Sequence, residues 1–582
     1  MPALLAGTTF AEFTSAFSSG EQNILASVAP QGVGISWFNC PDSNKTQCAF
    51  FDVPRDYSEP SDDDTVSIFM RKFPAQVSDK ERLGSILVNP GGPGGSGNLF
   101  VALLGEELGS LVDGKYDIIG FDPRGVNLTG PWTGCFDTEA KPMWTQLQLE
   151  FQGVPYPRST FGGDQNLVNK ISALHAGHNA ACLKYGNRKM LESTGTASVV
   201  QDMVKIIEAL GEDGLNYWGF SYGTILGATF AAMRPDLVKR MVLDGVSNAE
   251  SYFDNLWQWG RDGIKESYKT FTGFLTTCAE AGPKHCAFAI PPDNSNVVQT
   301  TEHLRKRLDN IFAQIGERPI VVVDSPIGPG LFTASDLQKL LLGVLYAPVV
   351  WNGAMQLLAM VEKGDATIAY TALYTLLLNV DHEPYDKNVF NRSMQHQLAS
   401  RESLNSILCA DTAVTNVSVS TYTNYFRELG DISPVGEQWA HILGACNRWS
   451  FQANQRYSGP WSTKDGLKKT SLDADPVTPL SSALKMSSGF GLESATLLIQ
   501  QGFGHCTTAH PSLCTYKNVR DYFVDGKVPL NGTYCTPEPG FIYPANDLTL
   551  MAVKSEEEEK VLSALRKLGR IRKSFDLKSP EL

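Results

Sequence analysis

The sequence predicts an α/β fold: a mostly parallel sheet with helices on both faces, interrupted by an inserted, mainly helical lid. Three observations carry this. Through the first 250 residues short apolar strands alternate with helical patterns, and strands joined by helices form a parallel sheet covered on both sides. From about residue 251 to about 460 that rhythm gives way to aromatic-rich helical segments, and it resumes near residue 495. Between the two regimes stands "NYWGFSYGTILGATFAA" (216–232), where Ser221 sits between Gly219 and Gly223 after an apolar strand and before a small-residue helix.

The elements follow in order. "TVSIFMRKF" has the period-2 character of a strand, and "GSILVNP" and "YDIIGFDP" are short apolar strands ending in turn residues. "TASVVQDMVKIIEALG" repeats its apolar residues at helical spacing and stops at Gly211. Then come the strand "LNYWG", a helix to about Pro235, and the strand "RMVLDGV". In the inserted region the strand signals beyond "PIVVV" are few, and "ATLLIQQGFGH" restores the strand pattern. Residues 1–250 and 461–545 are therefore expected to be the two parts of the sheet core, 251–460 the lid and 546–582 a tail helix. In that tail Val561, Leu565 and Leu568 share a helical face, and Ser555 and Glu558 are spaced as a capping box. A terminal surface helix or a mobile tail is the expectation there, in preference to a membrane- or partner-binding helix.

Composition excludes several function classes. A net charge of −13 with no concentrated basic face in the body of the chain argues against a nucleic-acid partner. No apolar run reaches the roughly 18 to 20 residues of a membrane span, and "LLLGVLYAPVVW" (340–351) is broken by Pro348. The 11 cysteines lack any C-x-x-C spacing and include the short-range couples Cys40/Cys48, Cys278/Cys286 and Cys514/Cys535, so a disulfide framework is expected rather than a metal site. Cys135/Cys182 and Cys409/Cys446 are the remaining suggested couples, leaving Cys506 as the free thiol. Sequons at Asn44, Asn127, Asn391, Asn416 and Asn531 point with the cysteines to the secretory pathway. The N-terminus "MPALLAGTTFAEFTSAF" does not: it has no basic start, and its apolar run is too short for a secretory signal.

The two glycines around Ser221 fit a backbone bent so tightly that a β-carbon on either side would collide with it, the G-x-S-x-G turn that raises a serine above a sheet edge. A nucleophilic serine needs a base, a group that orients the base, and donors for the developing oxyanion. Of the histidines far enough along the chain, His505 directly follows a strand and Gly504, whereas His510 is followed by proline and His441 lies earlier. Asp475, 30 residues before His505, starts the rigid "DPVTP" turn; Asp473 and Asp244 are its rivals. The segment "VNPGGPGGSGN" follows a strand and presents backbone N–H groups to an anion, and without a G-K-[ST] it does not read as a phosphate loop. The expected oxyanion donors are the amides of Gly92 and Tyr222.

"NPGGPGGSG", "YDIIGFDPRGV", "NYWGFSYGTILG", "RMVLDGV", "DPVTP" and "GFGHC" occur in the order seen in the tripeptidyl-aminopeptidase-like branch of α/β-hydrolases, relatives of proline iminopeptidase. The resemblance runs from about Trp37 to about Tyr543. It implies an α/β-hydrolase sheet, a helical lid, a serine triad on Ser221, Asp475 and His505, and peptide substrates cleaved near a free N-terminus, with no metal or organic cofactor. An esterase, lactonase or thioesterase using the same triad is the alternative. A third reading is an inactive hydrolase-fold binding protein. It rests on a departure from the family pattern: "TKDGLKKTSLDADPVTP" is polar where the family has an apolar strand before its acid, so that strand is expected to be missing.

Overall fold

The computed structural model describes residues 34–136, 140–155, 164–293, 295–374, 400–413, 415–462, 467–491, 493–544 and 555–578. Its strands are β1 (Phe38–Asn39), β2 (Gln47–Pro54), β3 (Thr65–Phe73), β4 (Ser85–Asn89), β5 (Asp117–Phe121), β6 (Leu215–Phe220), β7 (Val238–Asp244), β8 (Ile320–Val322), β9 (Gly330–Phe332), β10 (Leu467–Ala474), β11 (Ala495–Phe503) and β12 (Thr533–Cys535). Ten of them form one sheet in the order β1-β2-β3-β5-β4-β6-β7-β10-β11-β12, and β8 and β9 make a separate hairpin. The pairings from β1 through β3 to β5 are antiparallel, and every pairing from β5 to β12 is parallel.

Side-chain alternation explains why this sheet is buried on both faces. Ile86, Val88, Ile118, Trp218, Phe220 and Val242 enter one hydrophobic cluster, while Leu87, Ile119, Tyr217, Met241 and Leu243 enter the other. Successive strand residues point to opposite faces, so a continuous apolar run needs cover on each side. Helix α1 (Gly97–Ser110) covers the first face, and α2 (Thr196–Ala209) and α3 (Tyr222–Met233) cover the second. Between β7 and β10 the chain leaves the sheet for a helical region that includes α4 (Ala249–Asp254), α5 (Ala334–Tyr346) and α6 (Ser400–Asp411). No single helix among the described residues is long and apolar enough to cross a membrane, and the run at 340–351 is split between α5 and a 3-10 turn at Pro348–Val350.

One sequence expectation is corrected here. The polar segment before Asp475 is not a missing strand: β10 is present and lies between β7 and β11. Its backbone pairs in parallel with both neighbours, Thr470 opposite Asp244 on one side and Leu498 on the other. Pairing on both edges, over three residues with β7 and along most of its length with β11, defines a strand position whatever its side chains, and that outweighs a weak local propensity. The ground for an inactive, unassembled site is thereby removed.

Helices α7 (Leu513–Asp525) and α8 (Glu556–Lys578) complete the first face. The capping box forms as spaced, with the Glu558 N–H donating to Ser555 Oγ (3.1 Å) and the Ser555 N–H to Glu558 Oε2 (3.0 Å). Leu562, Leu565 and Leu568 are buried against α1, Val561 only partly, and Lys567 pairs with Glu107 of α1. The tail helix is thus a docked surface helix whose apolar stripe is already covered.

All ten cysteines expected to pair do so, as Cys40–Cys48, Cys135–Cys182, Cys278–Cys286, Cys409–Cys446 and Cys514–Cys535, and Cys506 is free and buried. Five disulfides fit an extracellular protein. The sequon asparagines differ in access: Asn44, Asn416 and Asn531 are exposed, and Asn391 lies outside the described residues. Asn127 is half-buried with its amide nitrogen donating to Ser96 Oγ and Asp122 Oδ2, both at 3.0 Å, so both of its amide hydrogens are already engaged.

Truncating Leu562 to alanine should remove about 2 to 4 kcal/mol of stability, the usual cost of such a core deletion. A thermal melt checks this, and an unchanged Tm would mean that α8 is not docked.

Candidate active site

Ser221 occupies the turn from β6 to α3 with φ 57° and ψ −123°, a backbone state that costs a non-glycine residue on the order of 1 to 3 kcal/mol. Its neighbours make the turn possible. A β-carbon on Gly219 would lie 2.4 Å from the Gly223 carbonyl oxygen, and one on Gly223 would lie 2.8 Å from the Asn89 carbonyl oxygen. The serine itself is half-buried, while the strand before it and the helix after it are buried. A strained, half-buried serine amid a buried surround makes Ser221 a candidate functional position.

The glycine-rich loop after β4 lies against this turn. A β-carbon on Gly91 would stand 2.7 Å from Ser221 Cβ and 3.2 Å from the Tyr222 nitrogen, and the φ of Gly91 is already +105°. Within the loop the Gly91 N–H donates to Asn89 Oδ1 (2.9 Å) and the Gly95 N–H to the Gly91 carbonyl (3.1 Å). The Gly92 N–H finds no acceptor among the described residues. The Tyr222 N–H opens α3, where no preceding turn exists to accept it. Both predicted donors thus belong to backbone without an internal partner.

Asp475 stands directly after β10, and His505 two residues after β11. The two side chains meet: His505 Nδ1 is 3.0 Å from each carboxylate oxygen of Asp475. The carboxylate also accepts N–H bonds from Val477 (3.0 Å), Thr478 (2.9 Å) and Cys506 (2.8 Å). Gly504, at φ +101°, makes the bend that carries the imidazole back; a β-carbon there would meet Pro348 Cδ at 2.5 Å. The His505 N–H is held by the Tyr346 carbonyl (2.8 Å), and the Tyr346 ring lies edge-on to the imidazole with centroids 4.9 Å apart.

Electrostatics follow from this geometry. Burial by itself would lower the His505 imidazole, but the adjacent Asp475 carboxylate outweighs it and holds the imidazole well above an ordinary histidine. Burial likewise pushes Asp475 up, and His505 with the surrounding amides brings it below the usual carboxylate value.

The rival residues are placed differently. The Asp244 carboxylate accepts the Thr507 N–H (2.8 Å) and hydroxyl (2.6 Å), and its carbonyl accepts the Ser221 N–H (3.0 Å) and the Cys506 thiol (3.5 Å). Asp473 lies on β10 itself. His510 takes the Phe503 N–H on Nδ1 (3.3 Å), and burial lowers its pKa to about 4. His441 packs in the inserted region against His175, with ring centroids 5.5 Å apart. Two side chains that touch His505 were missed from sequence. Thr478, with Oγ1 3.2 Å from Nδ1, sits in the "DPVTP" turn, so spacing from Asp475 could have found it. Tyr346 lies 159 positions away and carried no signal.

Two groups bring potential metal ligands together among the described residues: Asp475, His505 and Cys506, and Cys135, His178, Cys182 and Glu402. In the first, His505 Nδ1 and the Asp475 carboxylate already bond to each other, and the Cys506 thiol donates to the Asp244 carbonyl. In the second both sulfurs are joined in a disulfide.

Residues 84–283 match the α/β hydrolase fold family, and residues 432–535 match the TAP-like protein family. The chain is 26% identical over 530 residues to the serine protease Hip1 of Mycobacterium tuberculosis, covering 87% of this chain and 91% of that protein. It is 33% identical over 239 residues to the tripeptidyl aminopeptidase of Streptomyces lividans, covering 40% and 42% respectively. A carboxylesterase B of Mycobacterium tuberculosis is 24% identical over 548 residues, covering 92% and 95%.

The raised imidazole has a direct test. By NMR titration His505 should still be protonated at a pH where an ordinary histidine, near 6.5, is largely neutral. Asp475→Asn removes the raising charge, so the midpoint should move to lower pH; an unmoved midpoint would contradict the pairing.

Proposed function

We propose that this chain, which belongs to the α/β-hydrolase-fold serine hydrolases and has a TAP-like carboxyl-terminal part, is an exopeptidase acting near the free amino end of short peptides. Ser221 is the nucleophile, His505 the base and then the acid, Asp475 the group that orients the imidazole, and the Gly92 and Tyr222 amides the oxyanion donors. The observation that carries this reading is the buried pair of His505 Nδ1 and Asp475 beyond the ends of β10 and β11. With Nδ1–H donated to the carboxylate, Nε2 is the nitrogen able to accept a proton from a hydroxyl.

The reaction then runs in two halves. Nε2 takes the Ser221 hydroxyl proton as Oγ attacks the scissile carbonyl, and the resulting oxyanion is stabilised by the two amides. The imidazolium gives its proton to the leaving amine, the C–N bond breaks, and the acyl group stays on Ser221. Water, deprotonated by His505, attacks the ester, and the second collapse returns the proton to Oγ. Asp475 remains ionised throughout and stabilises the imidazolium.

Peptide rather than ester cleavage is supported by the relatives named as a serine protease and a tripeptidyl aminopeptidase. The relative named as a carboxylesterase favours the second reading, an esterase with the same triad. The disulfide framework supports action outside a reducing cytosol, after secretion.

Ser221→Ala should abolish turnover and leave the fold intact, and a fluorophosphonate probe should label wild type at Ser221; labelling at another serine would end the assignment. Asp475→Asn should reduce kcat by up to about 10⁴-fold, because the imidazole is then held in the wrong tautomer. Peptides with free amino ends should exceed their acetylated counterparts in kcat/KM by about tenfold or more, the worth of one charged hydrogen bond. Equal rates, with simple esters faster than both, would favour the esterase.

A further inference from the structure

The turn that carries Ser221 is tied from behind to the inserted region by one buried carboxylate. Asp411 ends α6 and is fully buried. Its Oδ1 accepts the N–H of Thr196, the first residue of α2, at 2.8 Å. Its Oδ2 accepts the Thr196 hydroxyl (2.5 Å) and the Tyr252 hydroxyl of α4 (3.0 Å). The Thr196 oxygen is also 2.5 Å from the phenolic oxygen of Tyr222. A hydroxyl has a single proton, and that of Thr196 goes to the carboxylate, so Tyr222 donates and Thr196 accepts. Two hydrogen bonds in series therefore join Asp411 to the residue whose backbone N–H is assigned to the oxyanion. The Tyr222 and Tyr252 rings pack together with centroids 5.8 Å apart.

Local structure explains why a distant carboxylate is used. Gly195, the residue before α2, makes no side-chain cap, and a β-carbon there would meet Ala453 Cβ at 2.5 Å. Without a local capping side chain, Asp411 supplies the anion at the helix N-terminus. Burial pushes its pKa up to about 6, against the opposing Thr196 and Tyr252 hydrogen bonds. Arg456 is the charged group beside it. The Arg456 Nε donates to the Asp411 carbonyl (2.8 Å) and its Nη2 to the Phe253 carbonyl (3.2 Å), which also accepts the Ala413 N–H (3.0 Å). The end of α6 is thus stitched to α4, where the chain departs from the sheet. Capping α2 accounts for the Thr196 N–H bond; it does not account for the two tyrosines.

We propose that Asp411 is a positioning residue for the oxyanion hole: through Thr196 and Tyr222 it fixes the peptide bearing the Tyr222 N–H, and so makes the hydrolytic rate depend on how the inserted region is seated. This rests on the roles given above to Ser221 and Tyr222.

The test uses Asp411→Asn, Tyr222→Phe and the double variant of the full chain, with p-nitrophenyl acetate as substrate. Rates are expressed per Ser221 titrated by a fluorophosphonate, so that unfolded molecules do not count. Each single variant should lose about tenfold or more in kcat with KM changed less than about threefold, the pattern of a misplaced transition-state donor. The double variant should be no slower than the slower single one, because both break the same chain of bonds. An Asp411→Asn kcat within about twofold of wild type, or losses that multiply in the double variant, overturns the proposal. If Asp411→Asn yields no folded protein, a wild-type kcat for Tyr222→Phe overturns it equally, and a lowered kcat at unchanged KM supports it. Labelling of wild type away from Ser221 would remove the triad reading and this inference together; normal labelling with an unaffected Asp411→Asn removes only the inference.

Discussion

The carboxyl end of β7 is where the separate parts of the site are fastened to one another, and Asp244 does the fastening. Its carbonyl takes the Ser221 N–H and the Cys506 thiol, and its carboxylate takes the backbone and hydroxyl of Thr507. One buried residue therefore bonds both to the serine turn, which comes from β6, and to the histidine loop, which comes from β11. Gly245 follows at φ +69°, and a β-carbon there would lie 2.5 Å from Cys506 Sγ. The loop must approach that closely for His505 to reach its carboxylate. A buried aspartate is costly unless its oxygens are bonded, and here the carboxylate's bonds to Thr507, together with the carbonyl's bond to Ser221, tie the two loops to each other.

Around that fastening the site follows a simple rule of parallel sheets. Every candidate catalytic group stands at or just beyond the carboxyl end of a strand: the glycine loop after β4, Ser221 after β6, Asp475 after β10 and His505 after β11. Parallel strands end on one edge, so residues hundreds of positions apart converge there. The inserted region closes over the same edge from β7 onward. Tyr346 of α5 supplies both a carbonyl and a ring to His505, so the histidine is held by sheet and insertion together.

The electrostatics of the pair depend on the same enclosure. Asp475 is fully buried, and His505 is 2% exposed. Removed from water, each ion would be unfavourable alone; together, with three backbone N–H groups on the carboxylate, the charged forms are retained. The same enclosure makes the imidazolium the favoured form of His505 as long as Asp475 is ionised beside it.

Residue types and their order along the chain determined a great deal. Gly219, Ser221 and Gly223 demanded a tight turn between strand and helix, because no β-carbon fits there. The run from Gly91 to Gly97 demanded a backbone-lined loop, and the cysteine spacings gave three of the five bridges as short local loops. These are features whose physical cause lies within a few residues, so they are legible in sequence. The polar β10 was not, because its strand conformation comes from two neighbouring ladders and not from its own side chains. The choice among Asp475, Asp244 and Asp473 was legible as a preference only. In the tertiary structure the Asp475 carboxylate faces His505 Nδ1, and the Asp244 carboxylate is engaged with Thr507. Asp411 and Tyr346 carried no sequence signal at all. Each acts across more than 150 residues of chain, through contacts that exist only once the inserted region has packed against the sheet.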